Sequence, residues 1–181
     1  MLFKELRPIL DGSPFLASLP SLLQSGERVQ IHHLNQSARA LVAARLWEDT
    51  QKNVLIVSQD DIIAEDIWDD LVALLGAGNA HYLPDYEILP YEERSPHYSI
   101  RATRMICVNH ILSGKPAVYS LSIRALMRWL PPLSSIASHV KVLTPGLEYP
   151  PQQLILDLVN MGFEAQYQVG KVFQVARRGG I

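Results

Sequence analysis

The turn after the first predicted strand, Val29 to His32, is where a nucleotide-binding α/β domain would hold phosphates. Such a turn needs glycines for close backbone approach, a lysine for the β- and γ-phosphates and a Ser or Thr on magnesium. Residues 31–39 read Ile-His-His-Leu-Asn-Gln-Ser-Ala-Arg, with no glycine and with two bulky histidines in the turn. Because phosphoryl transfer depends on these positioned groups, the sequence predicts no ATP hydrolysis here.

The other positions at which nucleotide chemistry is usually found also lack the required residues. Gly76-Ala77-Gly78 and Gly179-Gly180 are not followed by a lysine and a helix. The strand candidates 54–57 and 117–119 continue into Ser-Gln and Ser-Leu, so neither ends on an acidic residue that could hold magnesium. We therefore expect no catalytic residue and no bound cofactor in this chain. Ser/His/Asp catalysis has no supporting motif either.

Two groups of residues could suggest a metal site. His32 and His33 are adjacent, but neighbouring residues on a strand point apart and no third ligand has a recognisable spacing. Ordinary turn histidines are the preferred interpretation. Six carboxylates could suggest a hard-cation site, but a helix N-terminus and solvated positions account for them better. These carboxylates are Asp60, Asp61, Glu65, Asp66, Asp69 and Asp70. No metal site is therefore predicted.

Four arginines on two predicted helices, Arg101, Arg104, Arg124 and Arg128, could contact phosphates. The formal net charge of −2 favours solvated helix faces instead. Cys107 is the only cysteine and lies in an apolar run, which predicts a buried, inert thiol. A single cysteine also excludes an intrachain disulfide and a cysteine zinc site.

The composition is that of a globular protein rather than of a disordered chain or a broadly basic nucleic-acid binder. Of the 181 residues, 48% are hydrophobic and 19% are charged. No apolar run approaches the roughly 20 residues of a membrane span, and the first residues show no signal-peptide pattern. We expect a cytoplasmic protein with no membrane partner.

Strands and helices alternate with short connections, which predicts an α/β fold of three layers around a mostly parallel sheet. Strands are predicted at 29–32, 53–58, where the run Val-Leu-Ile-Val suggests burial on both faces, at 81–83 and at 117–120. Helices are predicted within 1–27 and at 36–48, 98–112 and 123–130, with Asn35 as an N-cap. A further helix buries Ile63, Ile67, Leu71 and Leu74 and opens with a capping box of Ser58 and Asp61.

The sequence changes character after Pro131-Pro132, which predicts a first domain at 1–138 and a second, α+β domain beginning at 139. In this tail we expect a strand at 140–143, a helix at 150–161 and a hairpin formed by 165–169 and 172–177. Gly170-Lys171 would form its two-residue turn. The chain stops within a sheet-forming sequence, so the second domain, 139–181, is expected to be incomplete.

The stretch from Leu83 to His97 is unusual because it carries three prolines and two tyrosines between two apolar segments. Its sequence Pro-Asp-Tyr-Glu-Ile-Leu-Pro-Tyr-Glu, followed by Ser-Pro-His, resembles the bacterial transcription-repair coupling factors (Mfd). In that family the segment lies in an N-terminal region built like the excision-repair protein UvrB. Residues 36–41 are similar to the helix start of a decayed phosphate loop. UvrB keeps an intact loop, so the resemblance favours the coupling factors.

A second resemblance lies at the end of the chain, where coupling factors and UvrB share a strand ending in Arg-Gly. The matching residues are Gln174, Ala176, Arg178, Gly179, Gly180 and Ile181. Phe173 replaces the usual glycine and Val175 the usual aromatic residue. In the family this domain binds UvrA, and the resemblance implies that Arg178 contributes to that contact.

The resemblance therefore implies a non-catalytic, degenerate helicase-like region that recruits UvrA in transcription-coupled repair. The full-length protein would be an ATP-dependent DNA translocase whose other parts contact RNA polymerase and DNA. Two alternatives stay open: a nucleic-acid-stimulated ATPase of the UvrB type, and a DNA-binding module.

Overall fold

The computed structural model describes residues 2–89, 91–137 and 139–179. Within these residues the helices are α1 (Leu2–Asp11), α2 (Pro14–Gln24), α3 (Gln36–Thr50), α4 (Asp61–Leu75), α5 (Tyr98–Leu112), α6 (Ile123–Leu126), α7 (Leu133–Ala137) and α8 (Pro151–Asn160). The strands are β1 (Val54–Ser58), β2 (Ala80–Leu83), β3 (Val118–Ser122), β4 (Glu164–Ala165) and β5 (Gln174–Val175). No helix in the described parts of the chain is long and apolar enough to cross a membrane.

The first three strands form a parallel sheet in the order β1-β3-β2, which confirms an α/β fold. Val118 of β3 lies beside Val54 of β1 and Ala80 of β2. All five residues of β3 are buried. Since side chains alternate along a strand, this central strand contributes to both faces of the sheet.

One face of the sheet packs against α1, α3 and α4. Phe3, Trp47, Ile67, Leu71 and Val118 belong to this core. On the same face, the hydroxyl of Ser120 donates a 2.7 Å hydrogen bond to the carbonyl of Ala64 in α4. The apolar stripe predicted along α4 therefore does face the sheet.

The predicted N-cap of α3 is also confirmed. The side-chain oxygen of Asn35 accepts a 2.8 Å hydrogen bond from the backbone N–H of Ala38. The helix ends at Thr50, and the next residue, Gln51, lies in the left-handed region with a φ of 51°. Arg45 of α3 forms ion pairs with Asp49 of the same helix and with Asp11, which ties α1 to α3.

The other face of the sheet packs against α5, α6 and α7, but only in part. Leu83, Cys107, Leu121 and Ile136 form its core. Helix α5 lies on β2, whereas the β1 residues on this face, Leu55 and Val57, are exposed. The prediction that β1 is buried on both faces was wrong. The run of apolar residues cannot distinguish a central strand from an edge strand that is covered on one side only.

Two other predicted strands do not form in the described chain. Residues 29–32 run as coil between α2 and α3, and β1 pairs only with β3. Residues 140–143 are also coil, and Val142 is almost fully exposed. Helix α6 ends at Leu126 instead of Leu130.

The predicted hairpin at 165–177 is replaced by a short parallel pair, β4 with β5. The backbone N–H of Gln166 donates to the carbonyl of Val175 at 2.8 Å. The side chain of Gln174 closes the intervening loop, because its oxygen accepts from the N–H groups of Gly170 and Lys171 at 3.0 and 3.2 Å. The left-handed position of this loop is Phe173, with φ 62°.

The tail that contains α8, β4 and β5 contacts the first part of the chain through α5. The guanidinium of Arg101 lies 4.7 Å from the ring centroid of Phe173. The division into domains 1–138 and 139–181 stays a prediction, and Ser138 at its boundary lies outside the described residues.

Candidate functional site

The carboxyl ends of the three parallel strands meet at one edge of the sheet, where ligands of open α/β sheets usually bind. Asp61 occupies the centre of this edge. Its carboxylate accepts hydrogen bonds of 3.0 Å from the hydroxyl of Ser122 and from the backbone N–H of Asp85. Arg124 contacts the other carboxylate oxygen at 3.2 Å. Asp61 therefore joins α4 to the ends of β2 and β3.

This role of Asp61 corrects the predicted capping box. The N-cap of α4 is Asp60, whose side chain accepts a 2.9 Å hydrogen bond from the N–H of Ile63. Ser58 is the last residue of β1 and lies too early to cap the helix. The sequence Ser58-Gln59-Asp60-Asp61 contains three candidate caps, and the length of β1 decides among them.

Asp85 forms a second charged contact at the same edge. It is only 3% exposed and receives a 2.8 Å hydrogen bond from Nε of Arg128. Burial by itself would raise the pKa of Asp85. The hydrogen bonds from Arg128 and from the backbone N–H of Tyr86 outweigh burial and hold that pKa below its usual value. Arg128 also donates to the carbonyl of Ile88 at 3.0 Å.

Arg104 of α5 also holds the start of this loop. Its guanidinium lies 3.9 Å from the ring centroid of Tyr86, and its Nη1 donates to the carbonyl of Pro84. Arg104 is 3% exposed, and its Nη2 has no hydrogen-bond partner among the described residues. The expectation of solvated helix faces was therefore wrong for Arg104 and Arg128. Their partners lie 20 and 43 residues away, so helix periodicity alone gave no signal of them.

The proline-tyrosine stretch is irregular, and it is buried only at its start: Leu83, Pro84 and Asp85 are buried, whereas most of the described residues from Glu87 to His97 are exposed. Arginines hold it at Pro84, Asp85 and Ile88, and Arg94 donates to the carbonyl of Glu87 at 3.3 Å. Glu87 and Tyr91 have φ values of 55° and 76°, a conformation that side chains other than glycine rarely adopt. Pro90, which belongs to the family motif, lies outside the described residues.

A cluster that the sequence did not indicate lies between β2 and α5. The rings of His81 and His110 are 3.9 Å apart, and Nδ1 of His110 is 2.9 Å from the hydroxyl of Tyr119. Burial, and then the proximity of His110, lowers the pKa of His81. Burial, and then Lys115, lowers the pKa of His110. The nearby Cys107 is buried as predicted, and burial raises the pKa of its thiol to about 12.

The turn that would hold a phosphate has no strand before it in the described chain. Its histidines, His32 and His33, are exposed, with ring centroids 6.2 Å apart. Within the described residues no group of three or more His, Cys, Asp or Glu side chains is arranged to hold a metal ion.

Arg178 lies beyond β5 and is exposed. Together with Gln168, Val169 and Ala176 it lines an open recess of the tail. Its neighbour Arg177 donates from Nε to the carbonyl of Gly179 at 3.1 Å. In the part of the chain that is described, Arg178 makes no hydrogen bond or ion pair. Gly180 and Ile181, the last residues of the family motif, lie outside the described residues.

Comparison with known proteins gives one consistent result. No protein-family model matches the chain. A transcription-repair-coupling factor of Bacillus subtilis is 27% identical over 96% of the chain, and one of Myxococcus xanthus is 31% identical over 93% of it. A transcription-repair-coupling factor of Staphylococcus aureus is 22% identical over 82% of the chain.

The chain spans only a small share of these relatives, 15%, 14% and 13% of their respective lengths. The matches nevertheless cover most of the chain. The similarity confirms that resemblance: the chain is a relative of the transcription-repair-coupling factors and corresponds to about one seventh of their length.

Proposed function

We propose that this chain is a non-catalytic, N-terminal region of a transcription-repair coupling factor that recruits UvrA, with Arg178 in the contact. The observation that carries the proposal is the similarity to coupling factors over nearly the whole chain. The full-length protein would be the ATP-dependent translocase, and its other parts would contact RNA polymerase and DNA. This chain would contribute the interaction with the repair machinery.

A degenerate phosphate loop before α3 supports the non-catalytic part of the proposal. The side chain of Asn35 accepts the hydrogen bond of the Ala38 N–H, one of the groups at the helix N-terminus that would otherwise be free for a phosphate. At the edge of the sheet, Asp61 and Asp85 are each engaged by an arginine. Neither carboxylate is free to hold magnesium or to activate water, as a phosphoryl-transfer site requires.

The surroundings of Arg178 support a role in protein binding. An arginine offers a planar group of donors that fits a carboxylate, and such contacts are frequent in protein interfaces. The guanidinium of Arg178 is exposed and makes no hydrogen bond or ion pair within the described chain, so a partner would not have to break an existing contact. By resemblance, that partner is UvrA.

The test is a binding titration of UvrA with the full-length coupling factor and with its Arg178→Ala variant. We expect the variant to bind at least about fivefold more weakly, since truncation of an arginine that anchors an interface costs about 1 kcal/mol or more. Arg177→Ala is the matched control, because the neighbouring Arg177 is also exposed but already donates to Gly179. Equal affinity of the wild-type protein and the Arg178 variant would contradict the assigned role.

A nucleotide titration of this chain separates the proposal from a UvrB-type ATPase. We expect no ATP binding at micromolar concentrations. Micromolar affinity for ATP would contradict the non-catalytic assignment, whatever the result with UvrA.

A further inference from the structure

A cleft of about 650 Å³ lies at the carboxyl edge of the sheet, between the start of α4, the loop after β2 and α6. Three apolar side chains from these three places line it and are largely exposed: Ile62 (74%), Leu89 (73%) and Met127 (75%). Single exposed apolar residues are ordinary on protein surfaces, but apolar residues that converge on one cleft mark a binding site.

The charge around this cleft is negative. It is lined by the carboxylates of Asp60, Asp61, Asp85 and Glu87 and by the guanidinium groups of Arg124 and Arg128. Each arginine already forms an ion pair, with Asp61 and Asp85 respectively. In the described chain Asp60 and Glu87 form no ion pair, so two negative charges remain available to a ligand.

The sequence extends this negative character beyond the cleft. From residue 53 to residue 93 there is no lysine or arginine, whereas the same stretch has ten acidic residues. A negative field repels phosphate groups and attracts cationic side chains. The occupant that complements this cleft is therefore positively charged and not a nucleic acid.

The walls of the cleft are fixed by contacts within the chain. Arg128 holds Asp85 and the carbonyl of Ile88, and Arg94 holds the carbonyl of Glu87. Glu87 keeps a left-handed backbone, with φ 55°, a strained conformation that persists only where surrounding contacts impose it. A preformed surface loses little conformational freedom when it binds, which favours affinity.

We propose that this cleft binds a peptide segment of another protein, in which a lysine or arginine is flanked by aliphatic side chains. The cationic group would contact Asp60 and Glu87, and the aliphatic groups would pack on Ile62, Leu89 and Met127. This surface is separate from the recess around Arg178, with which it shares no lining residue, and the proposal goes beyond UvrA recruitment.

The partner protein is not identified, so the probe is a random-peptide display library selected on this chain. Selection is followed by fluorescence anisotropy with the enriched peptide. We expect peptides that combine Lys or Arg with Leu, Ile or Val. The double variant Asp60→Asn with Glu87→Gln should bind the enriched peptide at least about fivefold more weakly, because the cationic group loses its charge partners. Asparagine keeps the N-cap of α4, so this variant should retain its fold.

The matched control is Glu65→Gln with Asp66→Asn, which removes the same charge from exposed positions of α4 that do not line the cleft. Its affinity should equal that of the wild type within about twofold. Met127→Gln tests the apolar part without changing the charge of the cleft, and it should weaken peptide binding while circular dichroism shows an unchanged fold.

Four results would overturn the proposal. One is enrichment of acidic or uncharged peptides, or of none. Another is equal weakening by the cleft variant and by its control. A third is tighter binding of an oligonucleotide than of the basic peptide. The fourth is a dimer in analytical ultracentrifugation that Met127→Gln dissociates, because it would assign the surface to a second copy of the chain. Loss of UvrA binding in the Arg178→Ala variant is measured separately, so the two proposals can fail independently.

Discussion

The guanidinium of Arg104 stacks on the ring of Tyr86, with 3.9 Å between the guanidinium carbon and the ring centroid. This contact attaches the proline-tyrosine stretch to α5. A buried cation over an aromatic face contributes on the order of 2 kcal/mol. The contact holds the start of the loop, whereas Leu89 and Tyr91 further along are exposed.

Replacement of Arg104 by methionine should therefore lower the free energy of unfolding by about 2 kcal/mol, because the contact with Tyr86 and the hydrogen bond to Pro84 are both lost. Urea unfolding followed by tryptophan fluorescence measures the change. Arg101→Met, on an exposed position of the same helix, should change it by less than about 1 kcal/mol. A double-mutant cycle of Arg104→Met with Tyr86→Leu should give a coupling of about 2 kcal/mol, the contribution of the stacked contact. No measurable coupling would mean that the two side chains do not support each other.

The three candidate caps of α4 should differ in their contributions to stability. Asp61→Ala removes the acceptor of Ser122 and of the Asp85 N–H and should cost about 2–3 kcal/mol, since buried donors are left without partners. Asp60→Ala removes only the N-cap and should cost about 1 kcal/mol. Ser58→Ala should change the free energy of unfolding by less than about 0.5 kcal/mol. A larger effect at Ser58 than at Asp60 would support the capping box inferred from sequence.

Stability should fall on mild acidification because burial disfavours the charged forms of His81 and His110. Both pKa values are lowered in the folded protein, so the unfolded chain takes up protons first as the pH drops below about 6.5. The stability that the two neutral histidines contribute is fully present above that pH. It is lost as the pH falls through their folded-state pKa values. His81→Phe should reduce the loss of thermal stability between pH 7.5 and pH 5. His32→Gln, at an exposed histidine, should leave it unchanged.

Asp85 should affect the pH dependence of stability at lower pH than the two histidines do. Its folded pKa lies below the usual 3.8, so its contribution is present above that value and is lost only in stronger acid. Between pH 4 and pH 2 the stability of the Asp85→Asn variant should therefore fall less than that of the wild type. Between pH 7.5 and pH 5 its stability should change as much as that of the wild type. If its pH dependence differed only in the higher range, the assignment of the two groups would be reversed.

The left-handed backbone of Phe173 offers a test of the tail. Phe173→Ala loses the contacts with Phe163 and Arg101 and keeps a strained φ, whereas Phe173→Gly loses the same contacts but adopts this φ freely. Glycine should therefore be more stable than alanine by about 1 kcal/mol, with both below the wild type. Hydrogen exchange of residues 164–175 measures the order. Alanine equal to or more stable than glycine would show that this backbone conformation is not kept in solution.

The sequence by itself determined those features that depend on neighbouring residues. Helix α5 begins at Tyr98 and ends at Leu112 as predicted, because its limits follow from Pro96 and from the Ser-Gly-Lys-Pro stop. The cap at Asn35 and the end of α4 before Gly76 follow from the same short-range rules. The relationship to coupling factors also came from a local motif, the prolines and tyrosines between Leu83 and His97.

Only the tertiary structure decided which strand is central and which groups meet at the edge of the sheet. The order β1-β3-β2 places β3 in the middle of the sheet and β1 at its edge. Leu55 and Val57 of β1 are exposed, although the apolar run suggested full burial. Arg104 and Arg128 find partners on a loop far from them in sequence, and Asp61 exchanges a capping role for a contact with Ser122. The physical reason is that helix limits depend on hydrogen bonds over three or four residues. Burial and charge pairing depend on contacts that form only when distant segments pack together.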